Sequence, residues 1–434
     1  MKKLSQSLVL ARRFRDRFRE DGARAAFEAT GRNIFRAGLR WLGADPDEDG
    51  VFVRNIDFSP YADDSTTQGP RSFDVIHATD LRFPGGSSVS TAQEIIFQHE
   101  AGLNSGLIHL PTYKMRNRTS PAPVIDALLR KRQVDLLNSC QDPIHTKVLI
   151  VRHPAVLNPN VTELPAVKAD QVVLIVNHPP IRLGQIEYLL THAIRRLRQK
   201  YDSEPHVHPI GPLVRRQIDE VYDGTIKLSE DDWVNVFDLE RFNSPRSAPA
   251  PDRPLRIGRH SRPNIEKWPD TADAIRAAYP DRSDTSVHIL GGADIPRNIL
   301  GRLPANWVTH DFGAMTPEEF LRTIDVFVYF HHPAWIESFG RVIVEAMAAG
   351  LPVILPEHFE PLLGEAGIYC EPAQVSDELM RLRDPGYYMQ RSSLARAAAG
   401  RFDRSVHLAR LKALAEAGRP APIRSRDGMA AALS

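Results

Sequence analysis

The chain has 434 residues, too many for one ordinary hydrophobic core, and predicts two or three domains. Its hydrophobic content of 42% and charged content of 25% are those of a soluble globular protein. The 55 Lys and Arg nearly balance the 54 Asp and Glu, so bulk charge does not nominate nucleic acid as a partner. Cys140 and Cys370 are the two cysteines and have no paired spacing. They predict neither a zinc site nor a disulfide framework, and a reducing cytoplasm is the simplest compartment. No apolar run approaches the roughly eighteen residues of a membrane-spanning helix.

Residues 1–50 read as a basic helical extension followed by a polar linker. The start, MKKLSQSLVLARRF, has too short an apolar stretch for a secretory signal and runs straight into arginines. Residues 1–42 hold eleven basic residues against four acidic ones, with Leu, Val, Phe, Ile and Trp at near-helical spacing. Such a basic amphipathic helix fits an inner-leaflet membrane surface. It equally fits a helix packed on its own domain or on another subunit, and Asp16, Glu20, Asp21 and Glu28 interrupt the basic face. DPDED, 45–49, holds an Asp-x-Asp with no strand before it, and no carboxylate cluster predicts a metal site.

A first domain is expected over 51–250. FDVIHATDL reads as a buried strand, RFPGGSS as a turn, and Val89 to Leu103 as an amphipathic helix. GLIHLPTY, VLIVRHPAV and QVVLIVNHPP are short β-branched runs that end in turn or Pro signals. LGQIEYLLTHAIRRLRQKY has helical apolar spacing, and VHPIGPLV and WVNVFDL are predicted as later strands. Strand–turn–helix alternation of this kind argues a doubly wound parallel sheet.

NSPRSAPAPDRP, 243–254, has no periodicity and is predicted to join two domains. Over 251–388 the alternation restarts, with LRIGRH, SVHILGG, WVTHDF, VFVYFHH, PVILPEHF and IYCEP as strands. Two successive sheets predict a cleft, with ligands at the carboxyl ends of the strands. Helices over 389–416 and a mobile tail over 417–434 complete the expected organisation.

The segment ESFGRVIVEAMAAGLPVI, 337–354, carries the chemistry. PAWIESFG is the loop after a buried strand, RVIVEAMAA the following helix, and Gly350 its stop. Exposed N–H groups at a helix start and a glycine permitting close approach make a phosphate cradle. A carboxylate in that loop cannot bind phosphate, so Glu337 must face something neutral and hydroxyl-rich beside it. Glu345, at the fifth helical position, can accept two hydrogen bonds from a vicinal diol such as a ribose. A sugar joined through a diphosphate to a nucleoside satisfies both.

With its E-x(7)-E spacing from Glu337 to Glu345, this segment resembles the signature of glycosyltransferase family 4, retaining enzymes of the GT-B architecture. The resemblance covers residues 253–372 well and the N-terminal sheet loosely. It implies an α/β fold of two doubly wound, Rossmann-like domains facing a cleft. It also implies that Glu337 contacts donor sugar hydroxyls, that Glu345 binds the nucleotide ribose, and that Ser338, Phe339, Gly340 and Arg341 border the donor.

GRHSRPNIEKWPD, 258–270, ends the first strand of the second domain. A departing diphosphate needs fixed cations. The family has Gly-Arg followed closely by Lys; here Arg262 intervenes and Lys267 comes later. Arg262 and Lys267 are the candidate phosphate pair, with Arg259 as competitor. Trp268 and Pro269 are expected to pack under the loop. By resemblance, backbone near Phe312 and Gly313 meets the base. Gly85 and Gly86 either approach the donor phosphates or form a tight turn with Ser88 or Ser90 as N-cap. His178, ending a buried strand beside Asn177, stands where the family often aims a histidine at the transferred sugar, and among 16 histidines a structural role competes.

The sequence therefore predicts a retaining, metal-independent glycosyltransferase without cofactor. It would move a sugar from a nucleotide sugar to a glycan or lipid-linked acceptor in polysaccharide synthesis, in the cytoplasm or peripheral on the inner membrane face. A nucleotide-sugar epimerase of the same architecture and a non-catalytic nucleotide-sugar-binding scaffold are the rivals.

Overall fold

The structure is a computed structural model that describes residues 55–61, 69–138, 140, 142–157, 163–182 and 185–417. The expected basic extension, the DPDED stretch and the tail from residue 418 lie outside the described residues.

The chain forms two compact units. The first holds the described residues up to Ile210, Val214–Trp233, and the chain from Leu408. Its strands are β1 (Arg71–Thr79), β2 (Ser105–His109), β3 (Asp135–Leu136), β4 (Ile144–Arg152), β5 (Val167–Val176) and β6 (His206–Pro209). They form one parallel sheet in the order β3-β2-β1-β4-β5-β6. Helices α1 (Gly86–Glu100), α2 (Pro123–Arg130), α3 (Leu190–Tyr201) and α4 (Pro212–Tyr222) connect or follow these strands. β2 is buried along its whole length, as are the last five residues of β4 and the last six of β5. Covered on both faces, such strands read as unbroken apolar runs. That is why VLIVR and QVVLIV were legible.

The second unit comprises Gly211–Leu213 and Val234–His407. Its strands are β7 (Leu255–His260), β8 (Thr285–Leu290), β9 (Trp307–His310), β10 (Val326–Val328), β11 (Val353–Leu355) and β12 (Gly367–Tyr369). They repeat the same parallel order, β9-β8-β7-β10-β11-β12. Helices are α5 (Ala272–Ala278), α6 (Asp294–Leu300), α7 (Pro317–Thr323), α8 (Arg341–Ala348), α9 (Val375–Arg381), α10 (Pro385–Ala399) and α11 (Arg404–Glu416), with a single turn at Glu360–Leu363. The last of these, α11, ends in the first unit. In each sheet the order reverses between the first and fourth strands, the switch point where open α/β sheets bind ligands.

Four expectations change. WVNVFDL is not a strand: Trp233 N–H donates to Pro209 O at 2.7 Å and Phe237 N–H to Phe402 O at 2.9 Å. It is a buried connector, and an apolar run of that length does not distinguish the two by periodicity. The helix expected from Val89 begins at Gly86, and the helical spacing before Leu190 is not helix. The Pro-rich stretch 243–254 lies wholly within the second unit, not between units. There Arg246 donates to the carbonyls of Leu321, Ile324 and Ala349, capping the ends of α7 and α8.

Candidate active site

In the second unit, β10 delivers Tyr329 and His331, and the loop 332–340 carries Glu337 into the start of α8. Gly340 is the N-cap, at φ 77° and ψ 51°. A Cβ built there would stand 2.8 Å from Ile343 Cδ1 and 3.1 Å from Phe359 Cε1, so the left-handed turn requires glycine. Phe339 is buried against Phe237 and Phe402, anchoring the loop, while Arg341 lies over the Phe237 ring at 4.2 Å. At the other end of α8, Gly350 N–H donates to Met347 O at 2.8 Å and Leu351 N–H to Ala346 O at 3.0 Å, a Schellman stop.

Glu337 is ion-paired with Lys267 and accepts a hydrogen bond from Tyr329 Oη at 3.1 Å. Burial alone would raise its carboxyl, but the Lys267 ammonium, with His331 and Tyr329, brings it down to about 2. It is therefore a permanent anion. Lys267 sits at 5.4 Å over the Trp335 ring, so one short ionic cluster holds the β7 loop to the β10 loop.

Glu345 has the opposite environment. Burial is the leading influence and pushes its carboxyl up to about 7. Glu318 pushes the same way, and Arg341 and Arg241 only partly oppose it. The nearest cation is the Arg341 guanidinium, at 4.0 Å. The two glutamates of the E-x(7)-E string thus differ in charge behaviour near neutral pH.

The three cations of the β7 loop sort by burial. Arg259 is completely buried: it stacks on Trp268 at 4.1 Å and Tyr329 at 4.8 Å and donates to Phe330 O, Tyr279 Oη and Lys267 O. Its guanidinium ties the loop to the sheet and faces no solvent. Trp268 and Pro269 are buried beside it, as expected. Arg262 is exposed, and its guanidinium has no partner among the described residues. Gly291, at the end of β8, backs the same loop, because a Cβ there would stand 1.8 Å from Ser261 O. Phe312 is 65% exposed, next to Gly313 in the loop after β9. Ser338 lies half-buried between Glu337 and Phe339.

In the first unit, Gly85 is the N-cap of α1 at φ 76°, and Gly86 is exposed. Neither Ser88 nor Ser90 caps the helix: their hydroxyls donate to Phe83 O and Gly86 O. His178 is buried, with both ring nitrogens engaged. Nδ1 lies 2.9 Å from Pro179 O and Nε2 lies 2.8 Å from His153 Nε2. Pro179 O only accepts, so Nδ1 carries the His178 proton and Nε2 accepts from His153. His153 Nδ1 in turn accepts from Ala155 N–H at 3.3 Å, which leaves the His153 proton on Nε2. Burial leads in both rings, with the cations Lys114 and Arg182 adding to it and His153 also acting on His178, so both stay neutral. His153 keeps this pairing at φ 79°, a left-handed backbone that non-glycine residues rarely adopt.

Sequence reasoning missed Tyr329, His331, His153 and His260. A tyrosine closing a buried strand needs a partner for its hydroxyl, which was the available signal for Tyr329. No group of three or more His, Cys, Asp or Glu able to hold a metal ion occurs among the described residues. Among them, too, no helix is long and apolar enough to cross a membrane.

Two parallel six-stranded sheets of this order, each flanked by helices, define the GT-B architecture. Residues 253–383, within the second unit, match the family model of glycosyl transferases group 1. Among solved structures, Anabaena HepE in complex with UDP and glucose is similar at TM-score 0.55 and 14% identity, over 80% of this chain and 100% of that one. The lipopolysaccharide outer core galactosyltransferase WaaB, in its apo form, is similar at TM-score 0.52 and 12% identity, over 79% of this chain and 99% of that one. The N-terminal domain of Candida albicans trehalose-6-phosphate phosphatase gives TM-score 0.51 and 8% identity, over 79% and 99%. At these identities the likeness is one of fold. No curated protein sequence matches the chain.

Proposed function

We propose that the protein is a retaining glycosyltransferase that moves a sugar from a nucleoside diphosphate to a glycan or lipid-linked acceptor. The observation that carries the reading is the Glu337–Lys267–Tyr329 cluster at the start of α8, with Glu345 further along the same helix. A permanent anion cannot hold phosphate, but it accepts hydrogen bonds from sugar hydroxyls. Its partner Lys267 is a fixed cation on the side where a diphosphate would lie against the helix N-terminus.

In this reading Lys267 and the exposed Arg262 meet the charge that grows on the departing diphosphate, a role preorganised cations fill well. Because these side chains supply the counter-charge, the donor phosphates need no metal. Glu337 fixes the sugar while its anomeric carbon becomes oxocarbenium-like. The resemblance to family 4 supports attack on the same face, with the departing phosphate oxygen taking the acceptor proton. Glu345 accepts from the ribose diol. Arg259 acts through others, by holding the loop that presents Arg262 and Lys267. His178, with both nitrogens occupied by Pro179 and His153, is a positioning group unless that pairing opens.

The donor is cytoplasmic in chemistry, so the protein works in the cytoplasm or on the inner face of a membrane, where residues 1–42 would supply the contact. UDP is the first nucleotide to test, since HepE was solved with it. Incubation with UDP-glucose and other nucleotide sugars without metal, followed by detection of the released nucleoside diphosphate, tests the proposal. Release that Glu337→Ala abolishes supports it, and release unaffected by Glu337→Ala overturns it.

A further inference from the structure

His260 ends β7, and strand alternation turns its side chain away from the side taken by Arg259. The ring is buried, edge-on to Phe320 and Phe327 at 6.0 and 5.7 Å between centroids. Nε2 is buried without a hydrogen-bond partner and lies 3.5 Å from Glu345 Oε2. Buried polar atoms almost always have partners, so an orphan beside a carboxylate calls for a reason. Burial, reinforced by Arg259, keeps the imidazole neutral down to about pH 3, so with its proton on Nε2 it is an uncharged donor.

The other groups facing Glu345 come from three elements. Arg341 lies one turn before it on α8, Glu318 sits on α7, and Arg241, ion-paired to Glu318, belongs to the Leu239–Phe242 turn. The Arg341 guanidinium stays 4.0 Å from the Glu345 carboxyl, farther than His260 Nε2 at 3.5 Å.

We propose that His260 is a positioning residue for Glu345: its Nε2–H donates to Oε2 when the carboxyl loses its proton and so holds the carboxylate for a ribose diol. The inference rests on the reading of Glu345 as a ribose contact. Nucleotide binding near neutral pH then accompanies release of up to one proton from Glu345 to solvent, and His260 sets the pH at which this happens. A charged partner would hold Glu345 ionised throughout the working range, as Lys267 does Glu337. A neutral donor leaves it titrating in the working range.

The test begins without ligand. The full-length protein, labelled with ¹³C at glutamate side-chain carboxyls, is titrated by NMR as wild type, His260→Phe and His260→Gln, with Glu345→Gln assigning the resonance. Removing the donor in His260→Phe raises the Glu345 midpoint by roughly one pH unit, about tenfold in its dissociation constant, and His260→Gln, which keeps an N–H, restores most of the shift. If Phe does not fold, His260→Met serves as the donor-free variant. A midpoint unmoved by donor removal, or moved equally by Gln, overturns the proposal. The affinities of UDP, GDP, ADP, CDP and dTDP are then followed against pH in the same proteins. An affinity profile that shifts with the Glu345 midpoint supports the positioning role. A midpoint that shifts while nucleotide affinity ignores both it and Glu345→Gln overturns the ribose reading and leaves only the pairing.

Discussion

The ammonium of Lys267 and the carboxylate of Glu337 form an ion pair between residues seventy positions apart in the chain. The pair joins the loop after β7 to the loop before α8, the two loops that the proposed chemistry needs in register. Its members are nearly buried, with side chains 11% and 14% exposed. Removing one partner therefore strands the other.

Glu337→Gln keeps the shape and removes the charge. Transfer is expected to fall by about 10²-fold or more, the scale seen when a preorganised polar contact to a transition state is lost. Nucleoside diphosphate affinity should stay within about threefold, since the ribose and phosphates keep their contacts. Steady-state kinetics and calorimetry on the same preparation separate the two effects.

Arg259 and Arg262 should separate in the opposite way. Arg259→Met removes a buried guanidinium that donates to Phe330 O, Tyr279 Oη and Lys267 O and is expected to cost on the order of 3 kcal/mol of stability. Arg262→Ala, at an exposed position, should leave the melting temperature unchanged and lower kcat/KM by about tenfold, the loss of one cation near the leaving group. Thermal melts beside kinetics decide between them.

Gly291→Ala tests the backing of the β7 loop. A Cβ there meets the backbone carbonyl of Ser261 and, at φ 115°, strains the chain. A drop in Tm of roughly 5–10 °C is expected, with weakened nucleotide binding, because the loop must move. Gly292→Ala, with nothing within 4 Å of the built Cβ, is the control for strain alone.

The two glutamates give stability opposite pH dependences. Glu337 titrates at about 2 in the folded protein against 4.5 for a free side chain, so its contribution is full above about pH 4.5 and is lost as pH falls toward 2. Glu345 titrates at about 7 when folded, so its contribution is full below about pH 4.5 and is lost as pH rises through 7. Glu345→Gln should therefore stabilise the protein at pH 8, by on the order of 1–3 kcal/mol, and leave it unchanged at pH 4.5. Denaturant titrations at the two pH values check the sign.

Much of this fold could be read from the sequence because parallel strands buried on both faces leave unbroken β-branched runs, and all six runs over 251–388 became strands. WVNVFDL failed for the converse reason: burial makes a connector as apolar as a strand. The spacing of Glu337 and Glu345 is local to one loop and helix, so it was legible. The pairing of Lys267 with Glu337, of His153 with His178 and of His260 with Glu345 was not, because each joins side chains from segments far apart in the chain. Arg259 shows the limit most clearly. Gly-Arg at a strand end suggests a ligand cation, but Trp268 and Tyr329 close over it, and only the packing of three elements reveals that.

The central claim is that the second unit holds a nucleoside diphosphate through Glu345 and the β7 loop. Calorimetric titration of UDP, GDP, ADP, dTDP and CDP into the metal-free, full-length protein at pH 8, repeated with Glu345→Gln, tests it most directly. Selective binding of one of these ligands is predicted, weakened about tenfold or more in the variant by the loss of charge-assisted hydrogen bonds to the ribose. Binding of none of the five, or binding that Glu345→Gln leaves unchanged, would contradict it.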